Sequence, residues 1–151
     1  MIRPITPQDL DSLLILCSEH ADYEQLAFQV ADQKSRWQAL FFSDPSRIHV
    51  WVYEHDGDLQ GYMSVTLDYA TWSGRCFAYM DCLYLRPTYR GLGLGRQFIS
   101  TLQAFAASAD CDEIQWHTPT HNQLGIDFYR HIGAVEKTKL RYFLSVAGDP
   151  S

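Results

Sequence analysis

Residues 79–98, reading Y-M-D-C-L-Y-L-R-P-T-Y-R-G-L-G-L-G-R-Q-F, restrict the fold more than any other part of the chain. The stretch begins as a strand and turns at Arg86-Pro87. It then alternates Gly91, Gly93 and Gly95 and enters a helical pattern. A strand feeding a glycine loop feeding a helix start is a shape for holding phosphate. The loop amides can point inward, the missing Cβ atoms allow close approach, and the helix N-terminus carries partial positive charge.

The flanking pattern supplies the elements such a loop needs. Residues 2–5 read as a short strand. Thr6-Pro7-Gln8-Asp9 then forms a helix start, with Thr6 as N-cap, Pro7 at the first helical position and Asp9 in the acid-favouring first turn. Leu10, Leu13, Leu14 and Cys17 keep helical spacing as the buried face of a helix that ends near residues 19–21. Residues 22–25 read as a polar loop. Residues 32–42 form a second helix, with Trp37, Leu40 and Phe41 on one face. Residues 48–55, 59–68 and 76–85 read as a three-stranded meander whose first hairpin turns at Asp56-Gly57, a pair suited to positive φ.

The helix after Gly95 carries Phe98, Leu102, Phe105 and Ala109. Residues 114–117 form a short strand. A last helix is lined by Leu124, Phe128 and Ile132 and stopped by Gly133, and residues 140–146 read as a final strand. The predicted order is β-α-α-β-β-β-α-β-α-β, within one domain spanning 1–151.

Charge and hydropathy bear on what the phosphate belongs to. Twelve basic against eighteen acidic residues give a net charge of −6, which argues against nucleic acid, whose binding needs a basic footprint. It suits a cationic small molecule. No apolar run is long enough to span a bilayer. No basic-then-apolar leader opens the chain, so the cytoplasm is the expected compartment. The four cysteines form no C-x-x-C pair and read as small buried thiols. His117 and His121 have ligand-like spacing, but Pro119 between them prevents a shared helix face, and no metal is expected.

Two familiar phosphate loops fail. Gly95 is followed by Arg96-Gln97, so the lysine and the magnesium-binding hydroxyl of a Walker loop are missing. A dinucleotide fingerprint would place its third glycine one residue later, after the first strand of a βαβ unit rather than after three antiparallel strands.

Arg90-Gly91-Leu92-Gly93-Leu94-Gly95 instead matches R/Q-x-x-G-x-G/A. It resembles the pyrophosphate loop of the GNAT acyl-CoA-dependent N-acetyltransferases. The Arg-Pro-x-Tyr-Arg-Gly entry, Asn122, Phe128-Tyr129, Gly133-Ala134 and the element order resemble that superfamily as well, over residues 2–146. Within it the chain looks most like the diamine (spermidine/spermine and thialysine) acetyltransferases, through residues 69–75, 81–85 and 122–134 and through Tyr23-Glu24.

The resemblance implies an α/β (α+β) GNAT fold, with a mixed sheet of about six or seven strands flanked by about four helices. It implies transfer of an acetyl group from acetyl-CoA to the primary amine of a small molecule, with CoA as product, and a homodimer to which the C-terminal strand contributes. Leu92, Gly93, Leu94, Gly95 and Arg96, with Arg90 and Gly91, would hold the pyrophosphate. The backbone of Leu83, Tyr84 and Leu85 would meet the pantetheine arm, and Asn122 is a helix cap, a contact to that arm, or both. Tyr129 would protonate the departing thiolate. Asp81 is a base, a water relay or the group that holds the ammonium. Tyr23, Glu24, Asp81, Cys82, Trp116 and His117 would line the acceptor site, with core or rim packing the other reading of His117.

The chain also departs from that branch. Asp81-Cys82 stands where the branch has Glu-Asp, and Arg141 falls about where it has an acidic contact. Two anionic contacts are lost and a cation is added, so the expected acceptor is smaller than a long polycation, or carries its own carboxylate. A CoA-binding module without catalysis, and an enzyme acting on a protein N-terminus or lysine, are the alternative readings.

Overall fold

The structure, a computed structural model, describes residues 1–148. Its contacts divide the chain into two compact units, Met1–Pro119 and a second that begins at Thr120. The first contains a five-stranded sheet, built from β1 (Ile2–Pro4), β2 (His49–His55), β3 (Asp58–Ala70), β4 (Arg75–Leu85) and β5 (Ile114–Trp116) in that spatial order. Strands β1 to β4 pair antiparallel, and β5 joins β4 in parallel after a helical crossover. The hairpin between β2 and β3 turns at Asp56 and Gly57 with φ of 52° and 82°, which the two residue types tolerate as expected.

Helices cover both faces of this sheet. α1 (Leu10–Tyr23) and α2 (Gln33–Phe41) pack on one face, where Leu13, Leu16 and Phe41 join Val50, Val52, Tyr62 and Tyr84 in a single core. α3 (Leu94–Ser108) lies on the other, burying Leu94, Phe98, Leu102 and Ala106 at a four-residue interval. Its Phe105 ring meets His49 and Trp51, the β2 residues that alternate with Val50 and Val52. Near the start of the chain Arg3 bridges Asp9 and Glu54 at 2.8 and 2.6 Å. The Asp9 carboxylate also accepts from the Thr6 amide at 2.8 Å. The Arg3 guanidinium, with the Thr6 donors, holds Asp9 at about 2.

Three sequence expectations need correction. The first helix continues through Tyr23 instead of ending near residues 19–21, because nothing between Leu10 and Tyr23 is a glycine or proline to stop it. Its buried positions are Leu10, Leu13 and Leu16; Leu14 is half-buried. Among the described residues the sheet has five strands, slightly fewer than the six or seven expected, because residues 140–146 form no ladder there. Their side chains, including Phe143 and Leu144, are exposed, and β-propensity makes a strand only where another edge accepts its hydrogen bonds. In the second unit α4 (Gln123–His131) is capped by Asn122, whose side chain accepts from the Gly125 amide at 3.2 Å. Gly133 follows the helix with φ of +89°, the left-handed stop its sequence predicts.

Candidate active site

The middle of β4 is irregular. Ser64 pairs with Cys82 and Val65 with Met80, so Asp81 is an extra residue bulged out of the ladder with β3. In a regular strand Asp81 and Cys82 would point to opposite faces. The bulge turns both into one cavity of about 310 Å³. On its other side β4 pairs with β5 only from Ala78 to Met80. From Asp81 to Leu85 that edge meets no further strand among the described residues.

The cavity lies between the sheet and the α1–α2 side. The face of α1 that begins with Leu10, Leu13 and Leu16 continues one and two turns later with His20 and Glu24, the C-cap. His20 Nδ1 lies 2.7 Å from the Tyr62 hydroxyl and Nε2 lies 3.2 Å from Glu24 Oε1. Its ring stacks on Tyr84 at 5.1 Å. Burial holds the His20 imidazole below its ordinary range, against the opposing pull of the Glu24 carboxylate. The neutral tautomer that satisfies both contacts donates from Nε2 to Glu24 and accepts from Tyr62 at Nδ1. The thiols of Cys17 and Cys82 lie beside the Tyr62 hydroxyl and interact with it electrostatically. Burial pushes those thiols up to about 11 and about 12, so both stay protonated at neutral pH.

The apolar end of the cavity is aromatic. Phe28, Trp37 and Phe41 stack in series, with centroids 6.5 and 5.6 Å apart and planes within 20°. Leu13, Ile48 and Val50 complete that wall.

Beyond β4 the chain passes through a short 3₁₀ turn, Pro87–Tyr89, to the glycine loop. Gly91 and Gly93 have φ of +75° and +82°, and Gly93 is the residue before α3. With no side chain at Gly93 to cap the helix, the first-turn amides of Leu94, Gly95 and Arg96 are left for a ligand. A Cβ at either glycine would meet nothing within 4 Å, so the space beside the loop is open. This is a cradle suited to a pyrophosphate. Arg90, expected to contact phosphate, donates from Nε to the Leu85 carbonyl at 2.8 Å. Its guanidinium lies over the rings of Tyr23 and Tyr84. Arg96 is exposed on the first turn of α3.

Of the acceptor residues expected from sequence, the structure brings Glu24, Asp81 and Cys82 together around the cavity. Tyr23 stacks under Arg90 instead. Trp116 ends β5, and His117 hydrogen-bonds through Nδ1 to the Tyr79 hydroxyl at 2.9 Å; neither lines the cavity. Asn122 and Tyr129 belong to the second unit, where Tyr129 lies on α4. His20 and Tyr62 escaped the sequence reading. The signal for His20 was there: positions 13, 17, 20 and 24 fall on one helical face.

Comparison with known proteins says which family this arrangement belongs to. The model of the acetyltransferase (GNAT) family matches residues 13–134. This chain belongs to the GNAT acetyltransferase family. Thialysine N-epsilon-acetyltransferase from Bos taurus is 30% identical over 147 residues, covering 92% of this chain and 86% of the bovine protein. The Mus musculus enzyme of the same name is 27% identical, covering 95% and 89%. Among solved structures, an aminoglycoside acetyltransferase from an uncultured soil metagenomic sample superposes with a TM-score of 0.80 at 17% identity, over 97% of this chain and 95% of that one. An aminoglycoside N-acetyltransferase in complex with CoA superposes at 0.74 and 16% identity, over 96% and 98%. The fold is therefore the GNAT fold, and the GNAT chain described here is an N-acetyltransferase.

Proposed function

We propose that the protein transfers an acetyl group from acetyl-CoA to the primary amine of a small molecule, by direct attack of the amine on the thioester. The observation that carries this reading is the bulge at Asp81. It sets a carboxylate at the polar end of an open-sided cavity and, on the same strand, leaves a free edge that runs toward the glycine loop. The thialysine acetyltransferases that resemble the chain along most of its length support a small-molecule acceptor.

Acetyl-CoA supplies the acetyl group as an activated thioester. The amides of residues 92–96 would bind its pyrophosphate, and Arg96 would add a charge-assisted contact. Arg90 would position the loop entry through its bond to Leu85. The backbone of Leu83, Tyr84 and Leu85 would hold the pantetheine arm like an added strand, and a preorganised amide near Leu83 would polarise the carbonyl, worth about 3 kcal/mol of barrier. Asp81 and Glu24 hold the incoming ammonium, and Asp81 receives its proton directly or through a water. The amine nitrogen bonds to the carbonyl carbon as the carbon–sulfur bond breaks. Tyr129 protonates the leaving sulfur, a role that rests on the family resemblance. Asn122 caps its helix and would also contact the arm.

CoA release from acetyl-CoA, measured with a panel of small amines, tests the reading. Release that depends on the amine is expected. Tight CoA binding with no release for any amine would leave only a CoA-binding module. The Asp81→Asn variant separates the roles of Asp81: a lower rate with a shifted pH profile marks a base, and a raised KM alone marks an ammonium holder. We place the enzyme in the cytoplasm and as a homodimer in solution, the latter supported by the exposed apolar run at Tyr142, Phe143 and Leu144. A solution mass of a single 17.4 kDa chain would remove the dimer.

A further inference from the structure

From the composition of the cavity we infer that the preferred acceptor is a monoamine carrying one compact aromatic or apolar body, an arylalkylamine, rather than a diamine or an amino acid. The inference rests on the acetyl-transfer reading above.

The charges of the cavity converge at one end. Its lining carboxylates are Glu24 and Asp81, and both lie close enough to His20 to act on its charge. The C-terminal end of α1, with its partial negative charge, opens on the same place. His20 adds no competing cation, because Glu24 and Tyr62 are satisfied by its neutral form. This end receives one ammonium.

The rest of the cavity is unsuited to a second charge. Phe28, Trp37 and Phe41 stack in series along an apolar wall. Leu13, Ile48 and Val50 offer no hydrogen bond. The distal ammonium of a diamine would meet no second carboxylate there among the described residues, only the neutral Gln33 and Ser64. An amino acid meets the opposite difficulty. Among the described residues no lysine or arginine lines the cavity, and its carboxylate would be brought toward Glu24 and Asp81.

An apolar body gains from the same wall. A volume of about 310 Å³ lies at the small end of ligand sites, which run from ~300 to 1,000 Å³. It suits one ring with a short chain, whose edge or face packs against the Phe28–Trp37–Phe41 series.

The test compares kcat/KM for phenethylamine, putrescine and thialysine at fixed acetyl-CoA. Phenethylamine is expected to exceed each of the others at least tenfold. A smaller ratio, or the reverse order, overturns the inference and leaves acetyl transfer standing; no release with any amine overturns both. Trp37→Ala is expected to raise the phenethylamine KM at least tenfold with little change in kcat. Ala27 lies on the exposed rim of the cavity, so Ala27→Leu narrows it without disturbing the core. There, phenethylamine should lose at least tenfold in kcat/KM while propylamine loses less than threefold. Equal losses for the two amines would overturn the assignment of the cavity.

Discussion

Asp81 owes its orientation to a single unpaired residue position, and the chemistry proposed for it follows from that geometry. Tyr129 carries a separate part of the reaction. Its replacement by phenylalanine removes one oxygen, so CoA affinity should stay within twofold while kcat falls by about 100-fold, the low end for a positioned general acid. Equal rates for the two proteins would remove Tyr129 from the mechanism. His20 makes a prediction about stability. Its folded pKa lies below the ordinary value of 6.5 because the ring is buried. The unfolded chain therefore binds the proton more readily, and the stabilisation is complete above 6.5 and lost as pH falls through the folded value. Urea unfolding should show a lower midpoint at pH 5.5 than at 7.5. In His20→Gln this difference should shrink, and an unchanged difference would assign the effect to other groups, of which half-buried His49 shifts the same way.

At the scale of the element, the glycine loop is the part most exposed to a single change. Gly93 sits at φ of +82° with open space beside it. Valine there would cost about 1–2 kcal/mol of backbone strain and fill the space a phosphate approaches. Gly93→Val should abolish CoA binding by calorimetry while the protein stays folded; retained affinity would displace the pyrophosphate from this loop. The loop was legible in sequence because everything it needs is local: three alternating glycines, a preceding strand and a following helix. The meander and its Asp56-Gly57 turn were legible for the same reason. The bulge at Asp81 was not, because register is decided across strands, between Ser64 and Cys82 and between Val65 and Met80. His20 was missed by an error of helix length. The apolar stripe of α1 was recognised, but its last two turns change from leucine to histidine and glutamate without changing face. Residues 140–146 show the reverse case, a strand composition for which the described residues supply no ladder.

For the whole molecule, the sheet of the first unit ends at a fork, where β5 leaves β4 after Met80. If the arm of CoA lies along that opening as proposed, binding is in part the completion of a sheet. At a ligand concentration of 100 times Kd, such coupling adds about 2.7 kcal/mol to folding. Limited proteolysis with and without CoA reads this directly, and the free protein should be cut at least tenfold faster; equal rates would detach the cofactor from the fork. The fork then has a consequence outside catalysis. A chain whose sheet is finished by its own cofactor survives in proportion to the supply of that cofactor. In a starved cell such an enzyme would be cleared before it stood idle, and its abundance would follow the acetyl-CoA and CoA pool with no dedicated regulator.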